Sequence, residues 1–306
     1  MLAKRGADMA FKSGFVTVIG RPNVGKSTLI NAITKEKISI VTPKPQTTRK
    51  NVKAIYTDDV CQIIFLDTPG IHEPKTKLGE YMVNAAKSTF SETDVIIFII
   101  APKKSDQIPP EDLHILELLT EIKDIPIILI LNKCDTIDQN TAGDILSHYS
   151  KKFEFNEMLA ISAQDRFNVD SLKHIIINYL PEGPMYYDED QITDQTMREM
   201  AEDIIREKML ILLSEEVPHG TAVEIENFKQ RPDKLLYDID AVIYCDKESH
   251  KGIIIGKGGA MLKKIGTEAR KSMEKSFDSK INLKLWVKIK NDWRNDNKML
   301  NKLGYK

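Results

Sequence analysis

At 306 residues, 42% of them hydrophobic, the chain is long enough for roughly two domains and apolar enough to build their cores, which sets aside a disordered or fibrous protein. Its three cysteines, Cys61, Cys134 and Cys245, stand far apart with no C-x-x-C pair and no histidine spacing suited to zinc, so neither a disulfide framework nor a metal cluster is expected. The net charge of −1 hides an asymmetry: residues 251–306 carry 15 Lys and Arg against 5 Asp and Glu, a balance of +10, whereas residues 181–230 carry 4 against 13, a balance of −9, and a basic end of this kind meets a polyanion.

Residues 1–13 are polar and aperiodic and read as an N-terminal extension. No apolar stretch of signal-peptide length precedes Gly20 and no run approaches the ~18 apolar residues of a membrane span, so a cytoplasmic protein is expected. The run Phe15-Val16-Thr17-Val18-Ile19 then leads into Gly20-Arg21-Pro22-Asn23-Val24-Gly25-Lys26-Ser27-Thr28 and the helical pattern beyond it. This is the G-x-x-x-x-G-K-[ST] phosphate loop in its strand-to-helix setting, where backbone N–H groups at a positive helix N-terminus surround phosphate oxygens. Lys26 reaches the β- and γ-phosphates in such a loop, and Ser27 offers its hydroxyl to Mg²⁺.

Thr42-Pro43-Lys44-Pro45-Gln46-Thr47-Thr48-Arg49 is broken by prolines and reads as a mobile loop. Residues 51–56 and 60–66 form a hairpin pattern with a turn at Asp58-Asp59, and the second run ends in Asp67-Thr68-Pro69-Gly70, followed by Ile71. Here Asp67 is placed to reach Mg²⁺ through a water, and the Gly70 amide to face a γ-phosphate. Residues 95–100 and 125–131 are strand-length and rich in β-branched residues, as buried parallel strands are. Between them Pro110-Glu111-Asp112 opens a helix with Leu113, Leu116, Leu119 and Ile122 on one face.

Asn132-Lys133-Cys134-Asp135, directly after a strand, decides the base. A carboxylate at Asp135 accepts both N1–H and the 2-amino group of guanine, whereas adenine offers neither donor and leaves a polar group without its partner. Ser162-Ala163, at the end of a short strand, supports the block by offering the Ala163 amide to guanine O6. The alternation of strand and helix through Leu180 is that of a doubly wound α/β P-loop domain over residues 14–180.

Pro181-Glu182-Gly183-Pro184 and the acidic Asp188-Glu189-Asp190 break the periodicity, which makes residues 181–194 a linker and 195–306 a second, α+β domain. It opens with a helix over 197–213, with Ala201, Ile204, Ile205, Met209 and Leu212 on a core stripe and Glu202, Asp203 and Glu207 on an acidic polar side; strands follow at 221–225 and 236–243. Ile253-Ile254-Ile255-Gly256-Lys257-Gly258-Gly259 contains the G-x-x-G loop of a KH module, which holds about four nucleotides of single strand. Gly256 and Gly259 let the backbone approach phosphates, Lys257 adds charge, and the following helix points Leu262 and Ile265 inward and Lys263 and Lys264 outward. Residues 283–290 alternate lysine with apolar residues as a last strand. Trp286 and Trp293 are read as core residues, with base stacking the alternative.

The nucleotide blocks in this order resemble the translation-factor class of P-loop GTPases, and the P-N-V-G-K-S-T loop with Pro45-Gln46-Thr47-Thr48-Arg49 is similar to the Era family over residues 14–180. The order of elements after the linker resembles the type II KH fold that ends Era proteins. The resemblance implies a GTPase that turns over GTP with Mg²⁺ held by Ser27, Thr48 and Asp67, with Thr47 the second choice for the switch threonine. It implies switch loops at 42–50 and 70–80, and Asn23, Lys26, Thr48 and Gly70 as the residues at the chemistry. Ile71 stands where Ras-type GTPases have a glutamine that orients water, so hydrolysis is expected to be slow; related GTPases with a hydrophobic residue there use an asparagine at the Asn23 position to hold K⁺. It further implies an RNA site of Ile255, Gly256, Lys257, Gly258, Gly259, Lys263 and Lys264, the 3′ end of 16S ribosomal RNA and the 30S subunit as partners, a role in assembling that subunit, and peripheral contact with the inner face of the cell membrane. For the last the chain offers no lipidation motif, only its basic C-terminal surface. A constitutive RNA-binding protein whose P-loop domain serves for docking is the alternative, and a metabolic kinase is disfavoured by the guanine-reading block.

Overall fold

Uninterrupted aliphatic runs without a polar side become buried parallel strands in the computed structural model, which describes residues 10–42, 44–71, 73–103, 107–232 and 234–305. The chain divides into two compact units, the second made of Ile40–Lys50, Glu73–Asn84 and Gln195–Lys306 and the first of the rest. Two short pieces of the expected P-loop domain, 40–50 and 73–84, therefore belong with the C-terminal unit.

In the first unit β1 (Lys12–Ile19), β2 (Val52–Thr57), β3 (Cys61–Asp67), β4 (Val95–Ile100), β5 (Ile127–Leu131) and β6 (Glu157–Ala160) form one sheet in the order β2-β3-β1-β4-β5-β6. β2 is antiparallel to β3 and every other pairing is parallel. Val16, Val18, Phe65, Ile97 and Ile99 face one core with Leu29 and Ile30 of α1 (Lys26–Thr34) and Leu172 and Ile176 of α5 (Val169–Tyr179). Ile19, Ile96, Phe98 and Leu129 face the other with α3 (Pro110–Thr120) and α4 (Gln139–Ser150). The strand order reverses around β1, so the loop that leaves its C-terminal end opens at the switch point of the sheet, where doubly wound folds bind ligands.

Two expectations change. The buried face of α3 is Asp112, Ile115, Leu116 and Leu119, while Leu113 is 39% exposed. The helix is turned because the Asp112 carboxylate, itself fully buried, is drawn inward by Arg21 and by the Tyr149 hydroxyl. The stretch read as a linker is bonded along the first sheet: Ser13 N–H donates to the Pro181 carbonyl and Ile55 N–H to the Ile192 carbonyl. Residues 12 and 13 of the expected extension begin β1, and residues 1–9 lie outside the described part.

In the second unit a Thr196–Glu199 capping box starts α6 (Met197–Leu212), where the Thr196 hydroxyl takes the Glu199 N–H and the Glu199 carboxylate takes the Thr196 N–H. β7 (Thr221–Gln230), β8 (Leu236–Cys245) and β9 (Lys280–Ile289) form a sheet in that order, β7 antiparallel and β9 parallel to β8. α7 (Glu248–Ile255) and α8 (Ala260–Phe277) complete the α+β unit. Ile239, Ala241 and Ile243 face Ala201, Ile205 and Met209 of α6 and Ile265, Ala269 and Met273 of α8. On the other face Ala222, Val242 and Tyr244 meet Trp293, Met299 and Leu300 around α9 (Asn297–Lys302), with Leu78 and Met82 from α2 (Lys77–Ser88). Glu207, expected on the solvated side of α6, is 2% exposed with the Lys208 ammonium 2.7 Å from its carboxylate, an ion pair that offsets the cost of burial.

Candidate nucleotide and nucleic-acid sites

The phosphate loop is held from behind by the base-reading block. The Asn132 side chain, buried after β5, donates to the Val24 carbonyl at 2.8 Å and accepts from Ala163 N–H at 2.9 Å. Lys133 donates to the Asn23 carbonyl at 2.8 Å. A Cβ on Gly25 would lie 2.3 Å from the Asn132 amide nitrogen with φ at +103°, so glycine is required there by both space and backbone. The Ala163 N–H, expected to face guanine O6, is thus given to Asn132, and Ser162 donates to Asp165 at 3.1 Å. Cys134 N–H donates to the Ile161 carbonyl at 3.1 Å, and Asp135 is exposed in the short turn Cys134–Thr136.

Lys26 is 7% exposed and donates to the Gly20 and Arg21 carbonyls at 3.0 and 3.3 Å. Burial pushes its ammonium down to about 8, opposed by the Asp67 and Asp112 carboxylates. Ser27 donates its hydroxyl to Asp67 Oδ2 at 2.7 Å, and Asp67 is fully buried. A hydroxyl and a carboxylate side by side suit a hard cation that takes its remaining ligands from phosphate and water; among the described residues no group of three or more His, Cys, Asp and Glu could hold a metal by itself. Thr68 anchors the turn by donating to the Val18 carbonyl at 2.7 Å, and a Cβ on Gly70 would lie 2.9 Å from Pro22, so the strand-end turn and the phosphate loop touch. Ile71 is fully buried in the apolar core on its side of the sheet, its N–H donates to the Gly20 carbonyl at 3.3 Å, and its side chain has no polar atom with which to orient a water. Arg21 turns away from the loop, donating to Asp112 at 3.1 Å and to the Ala101 carbonyl at 2.6 Å. Asp112 and Tyr149, which complete this bracket, were invisible in the sequence; the signal available was an acidic residue beside the stripe of α3.

Thr48, 9% exposed, lies in the second unit with the rest of residues 40–50. Arg206 of α6 donates to the Gln46 carbonyl at 3.2 Å and to that of Thr47. Arg49 donates to the Thr221 and His219 carbonyls at 2.7 and 3.0 Å, with its guanidinium 5.7 Å from the Trp293 ring centre. The segment read as a mobile loop is therefore tied down by two buried arginines: Arg206 satisfies main-chain carbonyls of the segment, and Arg49, from within it, satisfies those of Thr221 and His219.

The G-x-x-G loop joins α7 to α8. Gly256 has φ +72° and a Cβ there would lie 2.7 Å from Met261, so this glycine serves the loop's own fold, whereas a Cβ at Gly258 or Gly259 would meet nothing within 4 Å and the backbone is open to an approaching chain. The loop leads to a cleft of about 370 Å³ between α8 and β9, lined by Gly259, Leu262, Lys263, Gly266, Thr267, Arg270, Leu283 and Leu285. Lys257 and Lys264 are exposed but outside the lining, and the half-buried Ile255 and Gly256 and the exposed Gly258 are outside it too. Arg270 and Thr267 were missed, although they stand seven and four residues after Lys263, the spacing of one helix face. Trp293 is fully buried and donates to the Gly220 carbonyl at 3.0 Å, whereas Trp286 is 45% exposed.

Comparison with known proteins matches residues 15–133 to the family model described as 50S ribosome-binding GTPase and residues 216–294 to that of the KH domain. The chain is 51% identical over 97% of its length, and 99% of the relative's, to GTPase Era of Caldanaerobacter subterraneus subsp. tengcongensis, and 53% identical over the same shares to GTPase Era of Clostridium tetani. Among solved structures it is similar, with TM-score 0.92 and 40% identity over 96% of this chain and 99% of the other, to Era in complex with MgGDPNP and nucleotides 1506–1542 of 16S ribosomal RNA. A point variant of Aquifex aeolicus Era bound to GDP.AlF4⁻ matches with TM-score 0.91 at the same identity and coverage.

Proposed function

The chain belongs to the GTPase Era family, and from that premise we propose that it is a GTP-hydrolysing switch that binds the single-stranded 3′ end of small-subunit ribosomal RNA and assists assembly of the 30S subunit in the cytoplasm. The observation that carries the nucleotide half is the pair of bonds from Asn132 and Lys133 to the Val24 and Asn23 carbonyls, which makes the base reader and the phosphate cradle one rigid part. The RNA half rests on the cleft beside Gly259 in a unit whose last 56 residues carry a balance of +10.

Asp135 reads guanine, and the helix N-terminus behind Gly25 faces the phosphates with Lys26. Ser27 and Asp67, with Thr48 as the switch threonine, would hold Mg²⁺; bound there, the ion neutralises charge that develops on the β- and γ-phosphate oxygens. The Gly70 amide is the donor for the γ-phosphate. With Ile71 buried and no glutamine supplied, this chain positions an attacking water poorly, so its own turnover is slow and a K⁺ at Asn23 is part of the proposal. So is contact with the inner face of the membrane, for which the support is the basic C-terminal surface; no helix among the described residues is long and apolar enough to cross a membrane.

The test is GTP turnover by the intact chain with and without the 1506–1542 RNA, with ATP as the control. Turnover of GTP over ATP that changes when the RNA binds is the expected result. RNA binding indifferent to nucleotide, with no turnover, would instead favour the constitutive RNA-binding alternative.

A further inference from the structure

The two faces of β9 are chemically unlike. Leu283, Leu285 and Val287 point toward α8, and the first two line the cleft beside the G-x-x-G loop. The alternate residues Lys280, Lys284, Trp286 and Lys288 are exposed on the opposite face. The pairing of β9 with β8 runs without a register shift from Leu236–Lys280 to Cys245–Ile289, so these four side chains share one side of the sheet. β9 is also an edge strand, with β7 at the other edge.

Trp286 is opposite Val242. Val242 is fully buried beneath the C-terminal segment, but that cover does not extend over Trp286, which keeps 45% of its surface exposed. Lys290, just beyond the strand, is exposed as well. An exposed indole set between lysines on an edge strand combines the two elements of sequence-tolerant single-strand binding, a stacking platform and cations for the backbone. The lysines are not all unengaged: Lys288 lies 2.9 Å from Glu226 and Lys290 3.0 Å from Asp296. The Lys288–Glu226 pair is exposed and gives way to phosphate at little cost, whereas Asp296 is half-buried and also caps α9, so Lys290 stays with it.

We propose that this outer face of β9 is a second RNA subsite, in which a base of the strand leaving the cleft stacks on Trp286 while Lys284 and Lys288 take the flanking phosphates. The placement follows from continuity. Leu285, which lines the cleft, and Trp286 are consecutive residues about 3.3 Å apart along the strand and on opposite faces, so a chain longer than the cleft holds needs only to turn over the free edge. The occupant is single-stranded nucleic acid because the β9 stripe itself is basic, and the carboxylates beside it on β8 are engaged, Asp238 by Arg231 and Asn282 and Asp240 by Asn227; an acidic protein surface is the competing partner. The inference rests on the RNA-binding reading above and extends it beyond the roughly four nucleotides held by the G-x-x-G loop.

The chain's two tryptophans make the test direct. The 1506–1542 RNA and four-nucleotide fragments of its 3′ end are titrated into the intact protein, with binding followed by anisotropy of labelled RNA and by tryptophan emission. The long RNA quenches Trp286, and Trp286→Phe removes that quench while the buried Trp293 keeps its emission. Trp286→Ala weakens the long RNA by at least about fivefold, from the stacking of one base, and leaves the four-nucleotide fragments unchanged; Trp286→Phe retains most of the affinity. Wild-type binding with no quench, or long-RNA affinity unmoved in Trp286→Ala, overturns the subsite and leaves the RNA-binding reading standing. Failure of the wild type to bind any RNA overturns both and assigns the stripe to an acidic protein.

Discussion

The Asn132 side chain donates to the Val24 carbonyl across 2.8 Å and accepts from Ala163 N–H across 2.9 Å, so one buried amide joins the phosphate loop to the loop after β6. Asn132→Ala leaves both partners buried without a bond. The expected cost is roughly 1–3 kcal/mol of stability, measured by denaturant unfolding, together with weaker binding of GTP and GDP alike. Loss of stability with unchanged nucleotide affinity would show that the brace serves the fold alone.

Asp135→Asn replaces an acceptor for guanine N–H groups with a side chain that also donates. Preference should move from guanosine to xanthosine nucleotides, with GTP affinity down by at least about 100-fold. Competition between GTP and XTP for the mutant reads the change, and retained GTP preference removes Asp135 from the base site.

Arg49 is 2% exposed, and burial pushes its guanidinium down from its ordinary range. Arg49→Ala leaves the Thr221 and His219 carbonyls without their donor and is expected to cost roughly 2–4 kcal/mol. Arg49→Lys should recover little, because a single ammonium does not reproduce the planar fork. Hydrogen exchange over residues 44–50 should rise in both variants; unchanged protection there would mean that Arg206 alone holds the segment.

Turnover should be faster in K⁺ than in Na⁺, and loss of the Asn23 side chain should abolish the difference. Asn23 has φ +66°, which alanine adopts only with strain, so Asn23→Gly is the cleaner variant. Equal rates in the two salts would remove the K⁺ site and leave the rest of the nucleotide site unaffected.

At the second site, Lys257→Asp with Gly258→Asp puts two carboxylates on the open side of the loop. RNA binding should fail while GTP hydrolysis without RNA is retained, and binding by the wild type should fall with added salt as lysines release counterions. The plot of log affinity against log salt should flatten by about 0.7 for each phosphate that the variant no longer neutralises. Anisotropy across a salt series measures both, and a double mutant that binds as tightly as wild type would move the RNA away from this loop.

The contiguous signals were legible in the chain alone. The phosphate loop, Asp67 to Gly70, the Asn132 to Asp135 block and the G-x-x-G loop each concentrate their chemistry within a few residues, and backbone geometry at that range follows from residue type, as at Gly25. The β-branched runs at 95–100 and 125–131 likewise placed β4 and β5 within two residues, since an aliphatic run with no polar side has to be buried, whereas the more polar β7 runs five residues past the expected Ile225. What the sequence left open depends on partners far along the chain. Asp112 reads as a polar residue of α3 until Arg21, 91 positions away, is brought beside it. Residues 44–49 read as a loop until Arg206 and the Thr221 carbonyl meet them, and Glu207 reads as solvated until the second unit packs around it. The two tryptophans make the same point, being only seven residues apart: Trp293 lies under the C-terminal segment, whereas Trp286 falls on the uncovered edge of β9. Their difference follows from which surfaces close over a side chain when the whole unit packs, and no local pattern encodes that.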